Sequence, residues 1–135
     1  MKLSTKSHYG LLAMVDLAKS HGKGPVSLTE VAASQDISLG YLEQLIAVLK
    51  KAGLVESTRG AHGGYELARD PTAVSVGDIV RALDGSMAPV ECLAENRTHS
   101  EGCDREAACP SRAVWAKMRD KMAEALDSTS LADLI

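Results

Sequence analysis

Three cysteines carry the densest chemistry in this chain. Cys92, Cys103 and Cys109 are its only thiols, spaced C-x10-C-x5-C. All three fall within or at the end of one stretch, Ser86 to Cys109, that has neither helical nor strand period. An aperiodic segment of that length inside a small domain is usually functional or disordered. Thiolates on such a segment can converge on a soft metal centre. Zinc normally takes four ligands and paired CxxC knuckles, and no CxxC occurs here. The spacing therefore points to an iron–sulfur cluster. The blander reading, three small thiols buried together, fits poorly in a stretch carrying Glu, Asn, Arg and Ser. Cys109 directly precedes a helix start, where the helix dipole favours thiolate. Three cysteines leave a cluster one ligand short. Histidine can complete a mixed site, usually at a higher reduction potential than all-cysteine ligation. Two histidines are candidates: His99 inside the stretch, and His8 on the first helix, able to reach in from a dimer partner.

A second group of residues has the types and spacing of a DNA reader. From Leu28 to Leu67 the chain reads as helix, short turn, helix, then two short strands around a glycine-rich tip. That succession is a winged helix-turn-helix, whose second helix enters the major groove. The polar set at the head of that helix is Ser38, Tyr41, Glu43 and Gln44. Gln pairs bidentately with adenine, and Glu accepts from the cytosine amino group. Gly40 lets the backbone approach phosphate. Arg59, at the base of the wing, suits a phosphate or a narrow minor groove, and His62 at the tip could serve either. Taken singly, each is more often just a solvated residue; the whole arrangement carries the reading. Winged helices also serve as protein-interaction modules, so fold alone is no proof of DNA binding.

Both groups need a scaffold. A first helix spans about Ser4 to Ser20, with Tyr9, Leu12, Val15 and Leu17 among its apolar residues, and HGKGP ends it. Ser27 stands three residues before Glu30, a capping-box spacing that opens the second helix. Asp36–Ser38 is the turn. Ser38 caps a third helix, Leu39 to about Lys51, whose buried stripe is Leu42, Leu45, Ile46 and Leu49. Lys50 and Lys51 suit its last turn, and Gly53 its stop. Leu54–Thr58 and Tyr65–Arg69 alternate as strands around Arg59–Gly64. Ser75 with Asp78 opens a fourth helix carrying Ile79, Val80 and Leu83, closed by Gly85. Pro110 opens a long helix to about Leu126, with an apolar band of Val114, Trp115, Met118, Met122 and Leu126; Ser130 and Asp133 mark a last turn. The expected organisation is mainly α: residues 1–85 a winged helix-turn-helix domain, 86–109 a cluster-binding loop, 110–135 a dimerisation helix and C-terminal turn.

Composition bounds the rest. The chain has 135 residues, is 45% hydrophobic and contains no Phe, so Leu, Val, Ala, Ile and Met must fill its core. The net charge of −3 argues weakly against nucleic acid, yet it is unevenly placed. Residues 1–70 hold eight basic and seven acidic side chains; residues 71–135 hold seven and eleven. A DNA reader needs local basic groups, not a basic total. No apolar run approaches the roughly twenty residues that cross a membrane, and MKLSTKSHYG lacks the apolar core of a signal peptide. The expected compartment is the cytoplasm, where thiols are usually reduced. No nucleophile–base set, phosphate loop or paired acid site points to an enzyme.

These segments resemble the iron–sulfur transcription regulators of the IscR and NsrR kind, in the BadM/Rrf-type family. The similarity rests on MKLSTKSHYG, ISLGYLEQLIAVLKKAGLVESTRG, GGYELARDP, VSVGDIVRALDG, and three cysteines ahead of AVWAKMRDKM, and it covers nearly the whole chain. It implies a homodimer formed through the long helices, on double-stranded operator DNA. It implies a cluster near the dimer interface held by Cys92, Cys103 and Cys109. It also implies DNA contacts from Tyr41, Glu43, Gln44 and Arg59. The chain departs from the pattern in three places. The gap between Cys92 and Cys103 is longer than is typical. Where the IscR branch carries a ligating histidine shortly after the last cysteine, this chain has Arg112. The NsrR branch instead takes a carboxylate from the partner's first helix, and the matching position is His8, which ranks ahead of His99 as fourth ligand. The wing tip reads GAHGG in place of a Pro/Gly-rich one.

The sequence thus predicts a dimeric, DNA-binding transcription regulator or repressor controlled by an iron–sulfur cluster, 2Fe–2S before 4Fe–4S. Two alternatives stand beside it: a cluster-free regulator switched by thiol oxidation, and a zinc-containing winged-helix module for protein contact.

Overall fold

Serine hydroxyls start the first four helices. The computed structural model describes residues 3–89, Leu93 and 110–135. Ser4 caps α1 (Thr5–Lys19), Ser27 caps α2 (Leu28–Gln35), Ser38 caps α3 (Leu39–Lys51) and Ser75 caps α4 (Val76–Asp84). Each such cap satisfies an otherwise orphaned N–H and contributes about 1 kcal/mol. At Ser75 the expected box closes both ways: the Asp78 N–H donates to the Ser75 hydroxyl, and the Ser75 N–H donates to the Asp78 carboxylate, each at 3.0 Å. At Ser27 the box is only half made. Its hydroxyl accepts from the Thr29 N–H at 3.2 Å, and Glu30 stays exposed. Asp36 carries the turn between α2 and α3 in the left-handed region, φ 54°, which Asp tolerates better than most side chains. The Ile37 N–H then returns to the Ala32 carbonyl at 3.1 Å.

After α3, β1 (Val55–Thr58) and β2 (Gly64–Leu67) pair antiparallel in the register Val55↔Leu67 to Thr58↔Gly64. Val26, just before α2, bridges Tyr65 through two backbone hydrogen bonds of 2.8 Å. The wing is therefore pinned to the helical part along both strands.

The core lies where α1, α3 and α4 converge. α3 contributes the anticipated stripe: Leu42, Leu45, Ile46 and Leu49 are all buried. On α1 the structure selects a face that the sequence left open. Of Tyr9, Leu12, Val15 and Leu17 only Leu17 is buried, and the core face is Gly10, Ala13, Met14, Leu17 and Ala18. The stretch LLAMVDLA is apolar almost all round, so period alone does not choose a face. The small residues face inward because neighbouring helices come close there. A Cβ on Gly10 would collide with Cδ1 of Leu83 on α4.

The C-terminal segment folds back onto this unit. α5 (Arg112–Asp127) begins two residues beyond Pro110. Its last residue accepts two hydrogen bonds from the Arg81 guanidinium, at 2.7 and 2.8 Å. The Val76 N–H donates to the Thr129 carbonyl and the Leu131 N–H to that of Val74, each at 2.9 Å. Leu131 is completely buried in the main core. Along α5 itself no residue is buried within one chain, and Val114 is 59% exposed. At the C-terminal end of the expected apolar band, Leu126 packs against Val76, Val80 and Met87. Among the described residues no helix is long and apolar enough to cross a membrane.

The hydrogen bond from Arg81, helped by its charge and opposed by partial desolvation, holds the Asp127 carboxyl below its ordinary pKa of 3.8. A carboxyl lowered in the folded state stabilises above its unfolded pKa, and the gain is lost as pH falls through the folded value. Both side chains are more than a third exposed, so the pair contributes about 0.2–1 kcal/mol. Asp127→Asn is expected to lower stability at pH 7 by that much. The gap to the wild type should close on acidification below 3.8. Thermal melts at neutral and acid pH check this; a gap that persists in acid would assign the loss to shape instead of charge.

Candidate nucleic-acid interface

The core stripe of α3 leaves its opposite face to solvent. Gly40, Gln44, Ala47 and Lys51 are exposed along one row of that face, with Glu43 exposed beside them. Spacings of four, three and four residues keep this row on one side of a helix. The head of the row is rigid because the Ser38 hydroxyl accepts from the Tyr41 N–H at 3.1 Å. Ser38 is thus primarily the cap that fixes the helix start.

Tyr41 is half-buried. Its ring meets that of Tyr9 on α1 edge to face, with centroids 6.3 Å apart and planes at 84°. Such a contact is worth about 0.5–1.5 kcal/mol beyond its burial. At the other end of α3 the Lys50 ammonium donates to the Ser57 hydroxyl on β1 at 2.8 Å. That bond ties the recognition helix to the wing.

On the wing, Arg59 and His62 are both exposed. The tip GAHGG closes tightly. The Gly63 N–H donates to the Gly60 carbonyl at 3.0 Å, and Gly60 has φ 115°. A Cβ on Gly63 would collide with the Thr58 carbonyl oxygen; on Gly64 it would lie 2.5 Å from that of Val26. Both obstacles are backbone, which cannot rotate aside as a side chain can. The paired glycines are what let an unusual tip turn back into β2.

Six of the seven residues expected to face DNA therefore lie exposed on the α3 head or the wing, and Tyr41 lies at their edge. Two further residues belong to the surface. Lys51 continues the exposed row, which the helical period of α3 alone could have signalled. Tyr9 supports Tyr41, and no local sequence signal pairs them.

The expected cluster ligands fare differently. Cys92, Cys103, Cys109 and the alternative ligand His99 lie outside the described residues. His8 is exposed on α1, its ring 5.1 Å from that of Tyr9. Among the described residues no group of three or more His, Cys, Asp or Glu side chains could hold a metal. The donor set itself, three thiols and an exposed imidazole, has the softness that iron–sulfur chemistry requires.

Comparison with known proteins gives a consistent answer. Residues 3–135 match the family model Rrf2, described as iron-dependent transcriptional regulator. The HTH-type transcriptional regulator CymR of Bacillus subtilis is 48% identical over 134 residues, covering 99% of this chain and 89% of CymR. Its solved structure, described as that of the global cysteine regulator, superposes with a TM-score of 0.79 at 46% identity, covering 99% of this chain and 95% of that one. The structure of T. potens IscR matches with a TM-score of 0.76 at 48% identity, covering 99% and 85%. CymR of Staphylococcus aureus in an oxidized form matches with a TM-score of 0.76 at 38% identity, covering 99% and 95%.

Gly63→Ala is expected to push the wing away from its seat while leaving the helices intact. Operator affinity should fall about tenfold, equivalent to about 1.4 kcal/mol, with an unchanged helical circular-dichroism signal. Wild-type affinity in a gel-shift titration would remove the wing tip from the interface.

Proposed function

The chain belongs to the Rrf2 family of transcriptional regulators, and on that premise we propose that it is a homodimeric operator-binding regulator whose affinity or sequence choice is set by an iron–sulfur cluster. Membership makes it a DNA-binding regulator and not an enzyme. The observation that carries the cluster reading is the set Cys92, Cys103 and Cys109 between α4 and α5, in a chain matched to an iron-dependent family over residues 3–135. His8, exposed on α1, is the first choice for fourth ligand, and His99 the second.

In this reading α3 lies in the major groove. Gln44 reads adenine and Glu43 a cytosine amino group. Gly40 allows close backbone approach, Lys51 neutralises phosphate, and Arg59 and His62 reach the neighbouring backbone or minor groove. One head reads one half-site, so a palindromic operator needs two heads held by a twofold dimer. The exposed apolar residues Val114 and Trp115 of α5 supply the natural dimer face. When bound, the cluster supplies a centre that responds to iron, redox state or nitric oxide. The chain's part is to convert that response into head spacing. A coupling of about 1–3 kcal/mol between the two sites suffices.

A second reading has its own support. CymR of Bacillus subtilis is described as the global cysteine regulator, and CymR of Staphylococcus aureus has been solved in an oxidized form. A cluster-free protein with three thiols could respond by reversible thiol oxidation.

Purification without oxygen separates the two. Visible absorption with stoichiometric iron and sulfide supports the cluster; a colourless protein with reversibly oxidised thiols supports the alternative. Cys103→Ala is expected to abolish iron binding and leave a folded dimer, whereas full iron content would remove Cys103 from the ligand set. Arg59→Ala should weaken operator binding by about 1–3 kcal/mol at unchanged iron content, and normal affinity would count against the wing.

A further inference from the structure

The carboxylate of Asp84 accepts two serine hydroxyls from another helix. Ser4 and Ser7, both at the start of α1, donate to its two oxygens at 2.5 Å each. A hydroxyl donating to a carboxylate makes a charge-assisted hydrogen bond. Ser7 is 2% exposed, so this bond is what satisfies its hydroxyl. Ser4 does two things at once: it donates to Asp84 and accepts from the Ser7 N–H at 3.1 Å as the α1 cap. The first turn of α1 is thus built around a group that belongs to α4. Below it, Gly10 lets Leu83 sit directly against the α1 backbone. α1 and the C-terminal end of α4 are one body.

Two features give that body a direction. Asp84 is the last residue of α4; Gly85 then reverses the chain with φ 78°, and Cys92 follows eight residues after Asp84. On the opposite side, Tyr9, two residues beyond Ser7, meets Tyr41 edge to face. Tyr41 in turn carries the N–H that Ser38 caps at the head of α3. The α4 end and the head of α3 are thus linked through α1 by side chains in direct contact.

We propose that α1 is a lever. Asp84 clamps its first turn through Ser4 and Ser7, and Tyr9 is a positioning residue that sets the pose of Tyr41 on the DNA-reading face. This rests on the reading of α3 as the DNA-reading helix and names how that helix is regulated. It does not require a particular signal. Its input is any displacement of the α4 end.

The test uses full-length protein labelled with 3-fluorotyrosine, whose three tyrosines are Tyr9, Tyr41 and Tyr65. Tyr65, on the wing, packs against the same core and shows how far a change spreads. Asp84→Ala and the milder Ser7→Ala are expected to move the Tyr9 and Tyr41 fluorine resonances more than that of Tyr65. Tyr9→Leu should weaken operator binding five- to tenfold, and Tyr9→Phe, which keeps the ring, less than twofold. An unmoved Tyr41 in a folded Ser7→Ala and Asp84→Ala pair would overturn the lever. So would wild-type affinity in Tyr9→Leu, or iron loading that changes operator affinity without moving Tyr41. If the wild type ignores iron while Asp84→Ala still shifts Tyr41, the lever stands and only the iron reading falls.

Discussion

Where α1 crosses α4, a glycine takes the place of a side chain. Gly10 admits Leu83 against the α1 backbone, and the next residue, Asp84, gathers the hydroxyls of Ser4 and Ser7. Interiors are close-packed, so a contact of this kind transmits displacement instead of absorbing it. Every functional part connects to this crossing. α3 rests on α1 through the shared core and the tyrosine pair. α5 hangs from α4 through the Arg81–Asp127 fork and the backbone stitching around Leu131. The cysteine-bearing segment leaves from its edge.

The surface proposed to read DNA, formed by α3 and the wing, adds local devices to that shared core. Its geometry comes from local devices: a serine cap, a left-handed Asp36, a lysine bonded to the first strand, and paired glycines at the tip. Recognition needs side chains held on rigid elements, and these local devices all lie within some forty residues of contiguous chain. Beyond these devices, α3 leans on α1 and α4 through its buried stripe, β2 on Val26 through Tyr65, and Tyr41 on Tyr9.

Charge follows the same division. The acidic excess sits beyond residue 70, and the basic side chains near the reader, Lys50, Lys51 and Arg59, lie within the first seventy residues. The Arg81–Asp127 pair spends its charge on holding α5 to α4, away from the reading row. A net negative protein can therefore present a locally basic edge to phosphate, since exposed charges beyond about a Debye length of 8–10 Å are largely screened.

Sequence by itself determined the elements and their order. Serine caps, the α3 stripe, Gly53 and Gly85 as helix stops and the Asp78 box are encoded within a few residues of where they act, and each stands where the spacing placed it. The family, too, was legible, because its strings cover nearly the whole chain. Tertiary structure decided what depends on residues far apart. It turned the apolar surround of α1 toward its small-residue face, because only that face lets α4 approach. It replaced half of the Ser27 box with a plain cap. It paired Tyr9 with Tyr41, and Asp84 with serines some eighty residues earlier. Such pairings carry no local signature: each residue type is unremarkable in its own helix, and only the crossing of two helices makes them partners.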